Sequence, residues 1–360
     1  MKKMYKILVI NPGSTSTKVA VYHDQQSVFL KNIKHSNDEL SLFASIAEQY
    51  YFRRNTILSE LEKAGILMHE ISAVIGRGGL VKPIESGIYE VNEALKDDLK
   101  KGVQGEHASN LGGLIADEIA RGLNNGCKAY IADPVVVDEM SDVARISGLP
   151  EMPRRSIFHA LNQKAVGRLF AKNNGLHYND LNLIIAHLGG GISVGVHQKG
   201  RVIDVNEAIT GFGPFSPERS GTLPSGDVIE ACFSGKFTKE EMKKKIVGSG
   251  GFVAHLGTNQ ALEVADRVKS GDQHAKLIME AMCYQVGKEI GSCAAVLKGA
   301  VDGIILTGGI AYDEMTVSYI KEMIEFIAPV TVYPGEDEME ALSQITFSAL
   351  KGELNCKLYK

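Results

Sequence analysis

An apolar run, Ile7–Ile10, ends in Asn11-Pro12-Gly13 and is followed by Ser14, Thr15, Ser16, Thr17 and Lys18. A glycine turn lets backbone N–H groups converge on an anion, and hydroxyls add donors. A lysine adds a point charge. This set suits a phosphate, and it also suits a solvated Ser/Thr-rich surface turn. A second glycine turn, His187-Leu188-Gly189-Gly190-Gly191, closes the apolar run Leu183–Ala186 and weighs toward the anion. A third, Thr307-Gly308-Gly309, closes the run from Gly303 to Leu306 and offers bare backbone to a flat ring such as adenine.

Other chemistries meet obstacles. No G-x-x-x-x-G-K-[ST] loop and no G-x-G-x-x-G after a strand occurs, so neither a Walker A loop nor a dinucleotide fingerprint is present. Residues 191–195, GISVG, match the serine-hydrolase G-x-S-x-G, which requires a sharp strand-to-helix turn at the serine. Here Ser193 stands within an alternating strand pattern, so a hydrolase acting through Ser193 is the weaker alternative. The ten histidines and five cysteines are scattered, with no H-E-x-x-H and no C-x-x-C.

The elements that position these turns form an echo. Residues 7–22 and 183–198 share one plan: an apolar strand, a Gly-rich turn, and a second strand with period-2 alternation. Each is followed by another short strand, QSVFL (26–30) or RVIDV (201–205). Two such units in one chain predict two related domains, each with a hairpin carrying a ligand-facing turn. Apolar runs bounded by turn residues predict further strands at 73–76, 88–91, 128–132, 303–307 and 330–333. Helical spacing predicts helices over 39–65, 106–123, 159–173, 238–247 and 272–298. The alternation is that of an α/β protein.

The chain has 360 residues and a net charge of −4, which argues against nucleic acid or an anionic membrane as the main partner. An odd number of dispersed cysteines favours reduced thiols in the cytoplasm. The four-residue apolar run at the N-terminus is too short for a signal-peptide core, and no stretch approaches a membrane span.

Taken together, NPGSTSTK (11–18), GRGGL (76–80), EHASNLGG (106–113), IADP (131–134), SIFHALNQ (156–163), HLGGG (187–191), GPFSPERSGTLPSGD (213–227), LTGGI (306–310) and YPGEDEMEAL (333–342) resemble the acetate kinase family of the sugar kinase, Hsp70 and actin superfamily. The likeness is strongest on the butyrate and branched-chain side of that family. It implies two ribonuclease-H-like (actin/Hsp70-type) domains with a nucleotide cleft between them. Residues 1–150 would form the first, 151–339 the second, and a closing helix at 340–360 would return to the first. The activity implied is reversible phosphoryl transfer from ATP to a short carboxylate, giving an acyl phosphate and ADP with Mg²⁺. Two alternatives are acetate or propionate as the acid, and an ATP-binding regulator without transfer. The family analogy also implies a homo-oligomer, at least a dimer.

The resemblance assigns roles residue by residue. Asn11, Ser14, Ser16 and Lys18 match the first phosphate turn, and Asn11 would lie near the metal-bound phosphate. His187, Gly189, Gly190 and Gly191 match the second turn, while Gly308 and Gly309 match the adenine-side loop. Arg219 matches the catalytic arginine, His159 the transition-state histidine and Asp133 the catalytic aspartate. Glu338 best matches the metal-linked glutamate, with Glu336 as its rival. Gly76-Arg77-Gly78-Gly79 departs from the acetate kinase pattern; Arg77 is read as gripping the substrate carboxylate. A longer acyl chain requires an apolar pocket, at about 0.8 kcal/mol per buried methylene.

Overall fold

Valine, isoleucine and leucine dominate the central strands because these strands are covered on both faces. The computed structural model, which describes residues 4–360, shows twelve strands among them. They are Lys6–Pro12 (β1), Ser16–His23 (β2), Gln26–Lys34 (β3), Ala73–Arg77 (β4), Ile88–Glu90 (β5), Lys128–Ala132 (β6), Asn182–Leu188 (β7), Ile192–Gln198 (β8), Arg201–Val205 (β9), Gly303–Gly308 (β10), Val330–Pro334 (β11) and Lys357–Leu358 (β12). The fold is α/β, in two compact units. One runs to Val137 and takes back Asp337–Lys360; the other is Asp138–Glu336. The boundaries read from the sequence lie near 150 and 339.

In the first unit the sheet order is β12-β5-β6-β4-β1-β2-β3. Strands β1, β2 and β3 form an antiparallel meander, while β4 and β6 run parallel to β1. In the second unit the order is β11-β10-β7-β8-β9, with an antiparallel meander β7-β8-β9 and with β10 and β11 parallel to β7. Strands β3-β2-β1-β4-β6 and β9-β8-β7-β10-β11 therefore have the same order and directions. This is the ribonuclease-H-like arrangement, twice, and it accounts for the echo in the sequence.

Each sheet carries its own core. Helix Asn110–Gly122 packs on β4 and β6, and Glu338–Leu350 packs on β1 and β4. They enclose Leu8, Ile10, Val74, Leu111, Ile115 and Ile131. In the second unit helix Gln273–Val296 packs on β7 and β8, around Ile184, Val194, Met282, Val286 and Ile304. Both arrangements leave the carboxyl ends of the parallel strands open to carry function, as in other open α/β sheets.

Two expected helices, one read from periodicity and one from the family resemblance, are shorter than expected. The stretch 39–65 splits into Asn37–Ser41 and Tyr50–Lys63. Local side chains compete for the intervening backbone: Ser41 Oγ donates to the Asp38 carbonyl, and Ala44 N donates to Glu48. The closing helix ends at Leu350, well short of 360. The chain turns at Gly352 and returns as β12, parallel to β5. That edge is anchored by Tyr359, whose hydroxyl donates to Asp98 (2.7 Å) and whose carbonyl accepts from Asn92 (2.8 Å). Helices Glu93–Lys101, Ser225–Phe233, Ala261–Lys269 and Glu314–Ile324 were not among those predicted from the sequence.

Candidate active site

In the first unit three parallel strands end side by side: β1 at Asn11 and Pro12, β4 at Arg77, and β6 just before Asp133. Helix Glu338–Leu350 begins against them. Arg77 grips Glu338 with two parallel bonds, Nη2 to Oε1 at 2.7 Å and Nη1 to Oε2 at 3.0 Å. Asn11 Nδ2 donates to the same carboxylate at 2.6 Å. Asn11, Arg77 and Glu338 are thus one cluster, joined from positions far apart in the chain. Glu336 lies in the other unit, where its carboxylate is 3.4 Å from His187 Nε2.

Asp133 is buried and holds a positive φ of 37°, a conformation that costs a non-glycine residue about 1–3 kcal/mol. Its carboxylate accepts from Ser86 Oγ at 2.6 Å and from Gly87 N at 2.7 Å, and its own N–H donates to the Gly87 carbonyl. Such over-determination is what keeps a strained residue in place.

The first turn has two faces. Lys18 stands opposite Asn11 in the β1–β2 ladder, and Ser14, Thr15 and Lys18 are exposed. Thr17 points the other way. It is fully buried, with Oγ1 2.9 Å from His35 Nε2, so it is unavailable to a ligand and leaves three of the four hydroxyl residues facing outward.

Beneath the turn lies Arg53, a residue the sequence reading passed over. It is fully buried on helix Tyr50–Lys63. Its guanidinium donates to the carbonyls of Gly13 (2.7 Å), Ser14 (2.9 Å) and Ser16 (3.1 Å), to Thr17 Oγ1 (3.2 Å) and to Gln49 Oε1. Every partner is neutral, and burial lowers its pKa to about 10, so it stays charged at neutral pH. Arg53 satisfies carbonyls of the turn from below and sets a buried positive charge beneath its exposed Ser14 and Thr15. An arginine between Phe52 and Arg54 on an amphipathic helix carries no local mark of this job. His107, in the EHASNLGG motif, sits beside Arg77; desolvation and then the Arg77 charge lower its pKa.

The second unit repeats the plan with other residues. Strands β7, β10 and β11 end at His187-Leu188, Thr307-Gly308 and Tyr333-Pro334. Gly308 and Gly335 exchange two backbone bonds, and Thr307 Oγ1 donates to the Gly335 carbonyl, which ties the third glycine turn to the loop after β11. Gly309 opens the short turn Gly309–Tyr312 beyond it. His187 Nδ1 donates to Asn162 Oδ1 (2.8 Å), and its ring stacks on that of His159, centroids 3.8 Å apart and nearly parallel. Two imidazoles this close disfavour carrying charge together.

Arg219 lies against the same turn. A Cβ added to Gly191 would come within 1.9 Å of its Nη1, so only glycine leaves room for the guanidinium. Arg219 Nη1 donates to the Ala208 carbonyl. Its Nε is buried without a hydrogen-bond partner, and burial lowers its pKa, opposed by neighbouring Glu218. A half-buried arginine with an underbonded guanidinium beside a glycine turn is suited to accept an anion. Ser193 lies inside β8, fully buried, where no ester could reach it. That burial removes the hydrolase alternative.

No group of three or more His, Cys, Asp or Glu side chains suited to a metal occurs among the described residues. The oxygens at hand are one carboxylate, Glu338, already held by Arg77, and the Asn11 amide oxygen. Mg²⁺ commonly binds through one or two carboxylates, substrate phosphates and retained waters. This donor set fits an ion arriving on a nucleotide's phosphates.

A sequence model of the acetokinase family matches residues 150–332. The chain is 56% identical to butyrate kinase 2 of Clostridium acetobutylicum over 356 residues, 99% of both chains. It is also 56% identical to a probable butyrate kinase of Bacteroides thetaiotaomicron over 355 residues, covering 99% of this chain and all of that one. Among solved structures, Porphyromonas gingivalis acetate kinase superposes with a TM-score of 0.78 at 21% identity, covering 96% of this chain and 100% of that one. With the doubled sheet and the strand-end residues, these likenesses lead to one conclusion: the chain belongs to the acetokinase family.

Proposed function

We propose that this protein is a short-chain carboxylate kinase of the butyrate kinase type, transferring the γ-phosphoryl group of MgATP to butyrate or a close relative. Identity above half along nearly the whole chain to butyrate kinases carries this reading. The strand-end residues are of the kinds the chemistry requires. In phosphoryl transfer the carboxylate is itself the nucleophile, so the protein must position the reactants and offset charge on the transferring oxygens.

In this reading Ser14, Ser16, Lys18 and the amides of the first turn bind phosphate oxygens, with Arg53 as their support. His187 and the Gly189–Gly191 turn do the same in the second unit, and Gly308 and Gly309 lie along the adenine. Arg219 supplies the positive charge for the transferring group and His159 a hydrogen bond to it. Arg77 orients the acid's carboxylate, and Asp133 orients substrate or metal. Asn11 and Glu338 meet the Mg²⁺ carried on the nucleotide, and Arg77 must share or release Glu338 when they do. No helix among the described residues is long and apolar enough to cross a membrane. A cytoplasmic homo-oligomer, at least dimeric, with neither nucleic acid nor membrane as partner, completes the proposal; dispersed cysteines support the compartment, the acidic balance the absence of those partners, and family analogy the oligomer.

The test is acyl hydroxamate formation with MgATP, hydroxylamine and acetate, propionate, butyrate, isobutyrate or valerate. Product that depends on ATP and peaks at four carbons is expected. A peak at two or three carbons would move the assignment to acetate or propionate kinase, and no product with any acid would overturn it. One methylene discriminates by only about 1–3 kcal/mol, so neighbouring acids should react to a lesser extent.

A further inference from the structure

Gly191, Ser193 and Gly195 are spaced as in a nucleophile elbow, and the structure gives that spacing another purpose. Gly191 makes room for Arg219. Gly195 makes room for Gln163, whose Oε1 would lie 2.4 Å from a Cβ at that position. Between them Ser193 Oγ is 2.8 Å from His159 Nδ1.

The direction of the proton in that contact follows from counting donors. Gln163 Nε2 donates to the Ser193 carbonyl at 3.0 Å; a carbonyl only accepts, so this end of the amide is the NH₂ group. The same nitrogen donates to Ser193 Oγ at 2.9 Å, and the His159 backbone N–H points at that oxygen from 3.5 Å. Both neighbours can only donate, and they occupy the two lone pairs of the hydroxyl. Its single proton is left for His159 Nδ1, which must therefore accept. Behind Gln163 the order continues. Its Oε1 takes a proton from His197 Nε2 at 2.9 Å, so the neutral His197 ring accepts at Nδ1 from the Tyr178 hydroxyl at 2.6 Å. Complete burial keeps His197 neutral, its pKa well below the usual histidine value. Every bond then points one way, from Tyr178 through His197, Gln163 and Ser193 to His159.

We infer that Ser193 is a positioning residue whose hydroxyl donates to His159 Nδ1 and holds the neutral ring with its proton on Nε2. This rests on the proposed role of His159 toward the transferring phosphoryl group. The tautomer presents an N–H donor at Nε2, and stacking on His187 fixes the plane of the ring. The other neutral tautomer would present a lone pair to an anion.

Long-range proton–nitrogen correlation on full-length protein labelled with ¹⁵N-histidine reads the tautomer directly, and the peaks lost in His159→Gln assign the ring. A protonated Nε2 with a bare Nδ1 in the parent protein is expected, and a protonated Nδ1 would overturn the inference without any Ser193 variant having to fold. Ser193→Ala should shift the Nδ1 signal and lower kcat about tenfold, the loss of one hydrogen bond, with both KM values unchanged. Unchanged Nδ1 in a folded Ser193→Ala protein would also overturn it. Activity of His159→Gln decides the other question: an active variant removes the catalytic role of His159 and leaves the tautomer standing.

Discussion

The two glycine turns occupy equivalent places, each between the first two strands of a five-strand plan, and they are built in opposite ways. The turn after β1 is built on donors and on a buried cation. Its hydroxyls and Lys18 face outward, while Arg53 bonds three of its carbonyls from beneath. The turn after β7 is built on space. It has no hydroxyl between His187 and Gly191, and its bare backbone admits Arg219 from a distant loop. In one the arginine is a scaffold hidden under the loop; in the other it lies against the turn, where the proposed function gives it the transferring group. The same hairpin thus takes an arginine beneath its turn in one unit and against its backbone in the other.

The sharpest way to break this comparison is at Arg53. Arg53→Met should lower the unfolding free energy by about 3 kcal/mol, because several buried carbonyls lose their donor at once. It should also raise KM for ATP more than it changes kcat. Denaturant titration and steady-state kinetics would measure both. A stable variant with unchanged KM would mean that the turn keeps its shape unaided.

Gly191→Ala addresses the second turn. The new methyl would displace the Arg219 guanidinium, and kcat should fall about a hundredfold, worth about 2.7 kcal/mol of transition-state stabilisation, with little loss of melting temperature. Gly190→Ala is the comparison: its nearest neighbour would be the Glu218 side chain at 3.5 Å, an ordinary contact, so it should leave Arg219 in place and show any loss of phosphate contact in KM rather than kcat. Equal losses in both variants would detach Arg219 from the explanation.

The smallest expected effect is on pH and stability. Burial lowers the pKa of His35, beside Thr17 in the first unit, and of His197 in the second. Below about pH 6.5 the unfolded chain takes up protons that these rings refuse when folded, so stability is lost as the pH falls from there. The slope is at most about 1.4 kcal/mol per pH unit for each fully shifted ring. His197, completely buried and held well below the usual value, should account for more of it than His35. Urea unfolding between pH 7.5 and 5 would show whether either matters.

The repeated hairpin, the glycine turns and nearly all strand positions were legible in the sequence, because period-2 alternation and turn residues are local properties. So was the preference against a nucleophile elbow at Ser193, which rested on the alternation around it, while its removal needed the burial of Ser193. The arginine under the first turn, the identity of the carboxylate paired with Arg77, and the partner of Ser193 were not. Each depends on contacts across long chain separations: 40 residues from Gly13 to Arg53, 261 from Arg77 to Glu338, and 34 from His159 to Ser193. Glu336 and Glu338 differ by two residues and read alike along the chain, yet they fall in different compact units, on His187 and on Arg77. Local pattern follows from bond geometry and side-chain type, which every residue carries with it. Which charge meets which is decided only when the sheets have formed and brought their strand ends together.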